Sequence, residues 1–227
     1  MGRAIARPFS NFFKEISMFN AKNYEPKTVD DLVFVDEDTR QRIEDYADGL
    51  RNRHMILHGP RGTGKSSTAR VISETRCGGQ ANPFNEAYEG SSFSESDFDR
   101  ILNEWNWQSL QGVQKPVTVI NEIDLLSASM LEKLKSFIDE HGHYGQIIGT
   151  TNNEHKLSPA LQDRFDIIEM PALTPEALAP RVREMALAEG VDITDEEALY
   201  ALEQSTGSWR DAISATEDIV MEVKRAR

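Results

Sequence analysis

His54-Met-Ile-Leu-His-Gly-Pro-Arg-Gly-Thr-Gly-Lys-Ser66 passes from a short apolar run into a glycine-rich turn and then into residues that can start a helix. Met55 to Leu57 suit a buried strand, the glycines interrupt it, and Ser67 to Ser73 carry no helix breaker. The spacing GxxxxGK[ST] is met by Gly59, Pro60, Arg61, Gly62, Thr63, Gly64, Lys65 and Ser66, and the strand, loop and helix it requires are all present. Glycines let backbone N–H groups approach phosphate oxygens, and the helix N-terminus, running on through Ser67, adds its positive end. Lys65 is placed to reach β- and γ-phosphates, and the Ser66 hydroxyl to coordinate Mg²⁺.

Outward from this segment, strands and helices alternate. A helix is expected over Asp36 to Asn52, with Ile43, Tyr46, Ala47 and Leu50 on one face, ahead of the strand His54 to His58. After the helix Lys65 to Glu74, the polar stretch Arg76 to Ser96 reads as loop, with a short strand near Asn85 to Tyr88. Further helices are expected over Asp97 to Trp107, Ser129 to His141 and Pro159 to Arg164, and strands over Val117 to Ile120, Gln146 to Thr150 and Ile167 to Met170. Continuous apolar strands alternating with helices imply an α/β parallel sheet with right-handed crossovers. From Thr174 the pattern is helical only, with Thr174 before Pro175 and a capping box at Thr194 and Glu197. The expected organisation is an N-terminal basic and aromatic segment over 1–20, a P-loop domain over 21–171 and a small helical lid over 172–227.

Phosphate chemistry also needs carboxylates at the end of a second buried strand, for the metal's shell and the attacking water. Val117-Thr-Val-Ile-Asn-Glu-Ile-Asp124 supplies that strand. Glu122 stands where a carboxylate would orient water. Asn121, rather than the usual Asp, precedes it, so the shape is kept and a charge lost, and slow hydrolysis or weaker Mg²⁺ binding is the expectation. Asp124 either compensates or is a surface carboxylate.

These residues resemble the AAA+ clamp loaders, the replication factor C small subunits and the bacterial DNA polymerase III gamma/tau subunit, over about Asn23 to Val223. Tyr24-Glu-Pro-Lys-Thr-Val-Asp-Asp-Leu-Val33 is similar to the family's adenine-flanking segment. Thr150-Thr-Asn-Asn153 is similar to its sensor 1 strand end, which implies that Asn152 bonds the γ-phosphate or the water. Leu157-Ser-Pro-Ala-Leu-Gln-Asp-Arg-Phe165 is similar to the arginine-finger segment, which implies that Arg164 reaches a neighbouring subunit's ATP. Gly207-Ser-Trp-Arg-Asp-Ala212 is similar to sensor 2, which implies that Arg210 folds onto the γ-phosphate of its own site. The metal set implied is Ser66, Asn121 and Glu122. The finger triplet here is Asp163-Arg164-Phe165 rather than Ser-Arg-Cys, Cys77 alone stands where the bacterial subunit carries four zinc-binding cysteines, and the family's helical collar would begin after Arg227. The resemblance implies an ATP- and Mg²⁺-dependent hydrolase in a homo- or hetero-oligomeric ring, acting on DNA with a sliding clamp. A nucleotide-dependent switch with little hydrolysis, and a helicase-loader-like factor of a phage or mobile element, are the alternatives.

The totals limit the partners. Across 227 residues, 25 Lys and Arg face 38 Asp and Glu, a net charge of −13, so any nucleic-acid contact must be local. Absence of a leader-like segment or a long apolar run implies a cytoplasmic chain with no membrane insertion. Phe9, Phe12, Phe13 and Ile16 share a helical face that either docks on a partner or membrane surface or packs on its own domain. Cys77 reads as an unreactive thiol, His141 and His143 as loop histidines, and Trp105 as a core residue beside Trp107.

Overall fold

The computed structural model describes residues 19–78 and 87–226. The amphipathic N-terminal stretch therefore lies outside the described residues, apart from Phe19 and Asn20. In chain order the elements are α1 (Glu37–Ala47), β1 (His54–His58), α2 (Lys65–Arg76), β2 (Tyr88–Glu89), α3 (Glu95–Leu110), β3 (Val117–Asn121), α4 (Ala128–His141), β4 (Gln146–Thr151), α5 (Pro159–Gln162), β5 (Phe165–Glu169), α6 (Pro175–Ala188), α7 (Asp195–Ala201) and α8 (Trp209–Ala226). The strands form one parallel sheet in the order β2-β3-β4-β1-β5.

Alternation along β1 explains why the sheet needs helices on both faces. Met55 and Leu57 pack with Ile43, Tyr46, Ala69 and Ile72 of α1 and α2, whereas Ile56 packs with Trp105 of α3 and with Phe137 and Ile138 of α4. Trp105 is fully buried, and its Nε1 donates to Thr118 Oγ1 on β3 at 2.9 Å. Its indole therefore fills the core and is unavailable to bases, while Trp107 on the same helix stays 45% exposed.

The expected α1 overruns the observed one. Asp36 caps the helix by accepting the Thr39 N–H, but the helix ends at Ala47, where Gly49 turns with φ of 77°. Leu50, placed by periodicity on the buried face, is 75% exposed. Conversely, α3 begins earlier than expected, because Ser94 and Asp97 close a capping box ahead of it. α5 stops at Gln162, and β5 begins at Phe165, two positions before the expected strand, pairing with β1 from His54 onward.

The last three helices have a core of their own, built from Leu178, Val182, Met185, Ala198, Leu202 and Val220. Thr174 accepts the Ala177 N–H, and the Thr194–Glu197 capping box forms as the spacing predicts. Among the described residues, no helix is long and apolar enough to cross a membrane.

His54, 7% exposed, accepts the Ile147 N–H on Nδ1 at 3.0 Å, so it must be neutral in the fold. Burial first, then the positive charges of Lys115 and Arg53, push its pKa down to about 4. The unfolded chain takes up that proton near pH 6.5, so the stabilisation is complete above pH 6.5 and lost as pH falls toward 4, by roughly 3 kcal/mol. The thermal midpoint of the wild type is expected to fall more steeply between pH 6.5 and 4.5 than that of His54→Gln; parallel curves would contradict this.

Candidate functional site

Because every strand is parallel, the residues that follow β1, β3 and β4 meet along one edge of the sheet, as ligand sites of open α/β sheets do. There a cleft of about 430 Å³ is lined by Arg61, Gly62, Gly64, Lys65, Ser66 and Ser67 after β1, by Glu122 after β3, by Thr150, Thr151 and Asn152 at the end of β4, and by Trp209 and Arg210 of α8. The structure thus brings together the glycine loop, Glu122, Asn152 and Arg210, as expected from sequence.

The loop's glycines are fixed by close approach. A Cβ on Gly59 would lie 2.1 Å from the Met170 carbonyl oxygen, and one on Gly62 would lie 2.4 Å from Ser208 Cβ. Gly62 also accepts the Trp209 N–H at 2.7 Å, which seats the start of α8 on the loop. Gly64, at the N-cap of α2 with φ of 91°, offers no side-chain cap, and α2 has no acidic residue in its first turn. The leading N–H groups of α2 are therefore open to an anion. Lys65 Nζ donates to the Gly59 carbonyl at 2.8 Å and to the Pro60 carbonyl, and Thr63 Oγ1 donates to the Pro60 carbonyl at 3.2 Å. Burial first, then the neighbouring Arg61 charge, lowers the Lys65 pKa to about 8. Arg61, Lys65 and Arg210 make the cleft cationic within a chain of net charge −13, a local inversion that suits a polyanion.

On the facing side, Asn121 Oδ1 accepts from Ser66 Oγ at 2.9 Å and from Thr150 Oγ1 at 3.2 Å, and the Glu122 N–H donates to the same Thr150 hydroxyl at 3.2 Å. Glu122 is the one non-glycine residue with positive φ among the described residues, at 49°. Left-handed backbone costs a side chain roughly 1–2 kcal/mol, and here it turns Glu122 off the strand end into the cleft. Asp124 is neither a surface carboxylate nor part of the cleft wall: with a side chain 8% exposed, it accepts from Thr151 Oγ1 at 2.7 Å and pairs with Lys156 at 3.1 Å, tying the end of β4 to the turn after β3.

Two expected site residues stand elsewhere. Tyr24 donates to Glu189 Oε1 at 2.8 Å and packs on the helical core, with Phe19 stacked on its ring at 5.4 Å. Arg164 is held by its own chain, pairing with Asp139 through Nε at 2.8 Å and also donating to the Ala160 carbonyl. Between the two cores, continuous with the phosphate cleft through Gly64, Ser67 and Trp209, lies a crevice of about 20 Å³. Pro26, Leu32, Val33, Thr68 and Leu173 also line it, and the buried Thr68 Oγ1 has no hydrogen-bond partner among the described residues. Leu173 lies outside every motif of the sequence, and Leu32, Val33 and Trp209 carry no individual role there, since apolar residues have no signature beyond core periodicity.

A larger cavity, about 750 Å³, is lined by Asn52, Arg76, Cys77, Gln111 and Lys115 among others. It opens ahead of β1 and β3, at the amino ends of the strands, where parallel sheets do not build ligand sites. Cys77 there contacts Gln108 Oε1 at 3.6 Å. His141 packs on Phe137 at 5.1 Å and His143 on Tyr144 at 3.8 Å, and no group of three or more His, Cys, Asp or Glu among the described residues is arranged to hold a metal. The cleft does fit Mg²⁺ by donor chemistry: Ser66, Asn121 and Glu122 offer hard oxygens, with room for the waters that Mg²⁺ keeps.

Fold and cleft together define a P-loop α/β protein with a helical lid. The sequence pattern of the ATPase family associated with various cellular activities (AAA) matches residues 55–172, and the chain belongs to that family. It is similar to the replication factor C small subunit of Archaeoglobus fulgidus, 25% identical over 198 residues, covering 86% of this chain and 61% of that protein. It is also similar to human replication factor C subunit 5, 23% identical over 209 residues, covering 85% of this chain and 57% of that protein. The chain thus spans about three fifths of the length of these relatives. Among solved structures, the RuvB Holliday junction branch migration motor of Thermotoga maritima superposes with a TM-score of 0.70 at 25% identity, covering 88% of this chain and 67% of that one.

Backbone strain at Glu122 has a measurable consequence. Glu122→Gly is expected to be about 1 kcal/mol more stable than Glu122→Ala in chemical denaturation, because glycine accepts positive φ without penalty. Equal stability of the two variants would mean that the backbone there is relaxed.

Proposed function

We propose that the cleft binds ATP with Mg²⁺ and hydrolyses it, and that the chain works as one subunit of an oligomeric ring in a clamp-loader-like role in DNA replication or repair. The observation that carries this reading is the convergence of an uncapped, lysine-bearing helix start, a carboxylate and a lid arginine on one cationic cleft. Similarity to replication factor C subunits supports the DNA-replication setting.

In this reading Lys65 and the N–H groups from Gly59 to Ser67 hold the phosphates. Ser66 and Glu122 would hold Mg²⁺, with Asn121 reaching it through the ion's water shell, and the ion when bound would neutralise phosphate charge. Glu122 orients water toward the γ-phosphate, helped by Asn152, while Arg210 balances charge from the lid. The apolar crevice beside Gly64 takes the base, and with a volume of about 20 Å³ it must widen for a purine, so residues 172–227 act as the moving lid. Tyr24 then braces the lid through Glu189 from outside that crevice.

Arg164 contributes in trans by exchanging its Asp139 partner for a neighbour's phosphate. A guanidinium suits that exchange, since its fork pairs equally with carboxylate or phosphate. DNA and a sliding clamp are the partners this role requires, and the acidic total charge confines any DNA contact to a local patch. Asn121 favours one second reading, a nucleotide-dependent switch that binds ATP and turns it over slowly.

Steady-state turnover across a protein concentration series, with and without primed DNA, tests the proposal together with nucleotide binding by each variant. Lys65→Ala is expected to lose ATP binding, and Glu122→Gln to keep binding while losing turnover at least tenfold, a modest demand beside the roughly 10³-fold effects of phosphoryl-transfer charge stabilisers. Arg164→Ala is expected to bind normally and to lose the concentration-dependent part of turnover. ATP binding by Lys65→Ala equal to wild type would overturn the site, and Arg164→Ala indistinguishable from wild type at every concentration would overturn the trans role.

A further inference from the structure

Asn121 leaves the cleft one carboxylate short of what a Mg²⁺–phosphate site calls for, and its amide is hydrogen-bonded to a carboxylate on the neighbouring strand. Its Oδ1 is taken by the hydroxyls of Ser66 and Thr150, which leaves Nδ2 to donate, and it donates to Glu89 Oε1 at 3.0 Å. Glu89 is the last residue of β2 and lies directly opposite Asn121 in the parallel ladder. Beyond it the Gly90 N–H donates to the Asn121 carbonyl at 2.8 Å, so the register is pinned on both sides of the pair.

The preceding residue fixes which way Glu89 points. Tyr88 is anchored on the α3 face, where its hydroxyl donates to Glu104 at 3.0 Å, its ring meets Phe93 edge-on at 5.7 Å, and the Arg100 guanidinium lies 5.4 Å above it. Neighbouring residues on a strand alternate faces, so Glu89 is presented on the opposite face. That is the face of Val117, Val119 and α2, the helix whose first turn carries Lys65 and Ser66.

We infer that Glu89 supplies the negative charge of the Mg²⁺ site, with Asn121 as the relay that orients it. The inference rests on the nucleotide reading of the cleft and deepens it. A carboxylate at position 121 would stand within hydrogen-bond distance of the Glu89 carboxylate, and two such groups cannot both ionise cheaply. An amide there keeps the acceptor that Ser66 and Thr150 need and turns its donor toward the charge. Amide and carboxylate are thus one unit split across two adjacent strands. Glu89 acts on the metal's outer water shell and on Asn121, as a positioning and electrostatic residue rather than a catalytic one.

The test separates charge from shape, because glutamine at position 89 still offers Asn121 an acceptor. A fluorescent N-methylanthraniloyl ATP analogue at fixed concentration is titrated with Mg²⁺, and the Mg²⁺ midpoint is read for wild type, Glu89→Gln and the exchanged pair Glu89→Gln/Asn121→Asp. Glu89→Gln is expected to raise the midpoint by roughly tenfold, the lower end for loss of an outer-shell partner. The exchanged pair is expected to bring it back to within about threefold of wild type, with thermal midpoints of the nucleotide-free proteins unchanged. A Glu89→Gln midpoint equal to wild type would overturn the assignment and leave the nucleotide reading standing. A raised midpoint that the exchanged pair does not restore would show that the pair does not act as one charge unit, which overturns the relay through Asn121 and the assignment with it. Wild-type protein whose binding of the analogue ignores Mg²⁺ would overturn the metal site and the assignment together.

Discussion

A single hydrogen bond, from the Trp209 N–H to the Gly62 carbonyl at 2.7 Å, joins the helical bundle to the phosphate loop. It forms only because Gly62 has no Cβ to strike Ser208, and it sets Arg210, the next residue of α8, on the cleft wall. The bundle has its own apolar core, and the segment it meets through this bond is the glycine loop. A change in the loop's backbone would bear first on the start of α8, which carries Arg210. In the proposed ring, that contact is where phosphate binding would reach the helical bundle.

The rest of the cleft follows from how hydroxyls and amides are shared. Thr150 at the end of β4 receives the Glu122 N–H and donates to Asn121, so the strained residue and its amide neighbour are held by one side chain. Ser66 closes the circuit from the loop side. Cations come from the loop and the lid, and the carboxylates from strand ends. Arg164 stands apart from this circuit, closed on Asp139 of its own chain, and its proposed trans role would require that pair to open.

Much of this was legible in the sequence. The β1–loop–α2 segment has a local signature, and its bounds came out within two residues because glycines and a buried apolar run leave few alternatives. Glu122 and the Thr194–Glu197 capping box were likewise local. What the sequence left unread depends on helix ends and on contacts between distant segments. Leu50 fits the periodicity of α1 yet is exposed, because the helix ends at Ala47 before reaching it. The Tyr24 hydroxyl is drawn to Glu189, 165 residues away, and Arg164 to Asp139, 25 residues away, pairings that no local pattern encodes. Asp124 pairs with Lys156, and Glu89 faces Asn121 only once β2 has found its register. The apolar residues of the crevice look, in sequence, like any other core residues.

The central claim is that nucleotide lies in the cleft at the carboxyl ends of the strands and is gripped by both cores. Amide hydrogen exchange of the wild-type protein with and without Mg²⁺–ATP measures this most directly. Protection is predicted over 59–67, 150–152 and 207–211 together, since loop, strand end and lid close on one ligand. Protection absent from all three, or confined to the cavity around Asn52, Arg76 and Lys115, would contradict it.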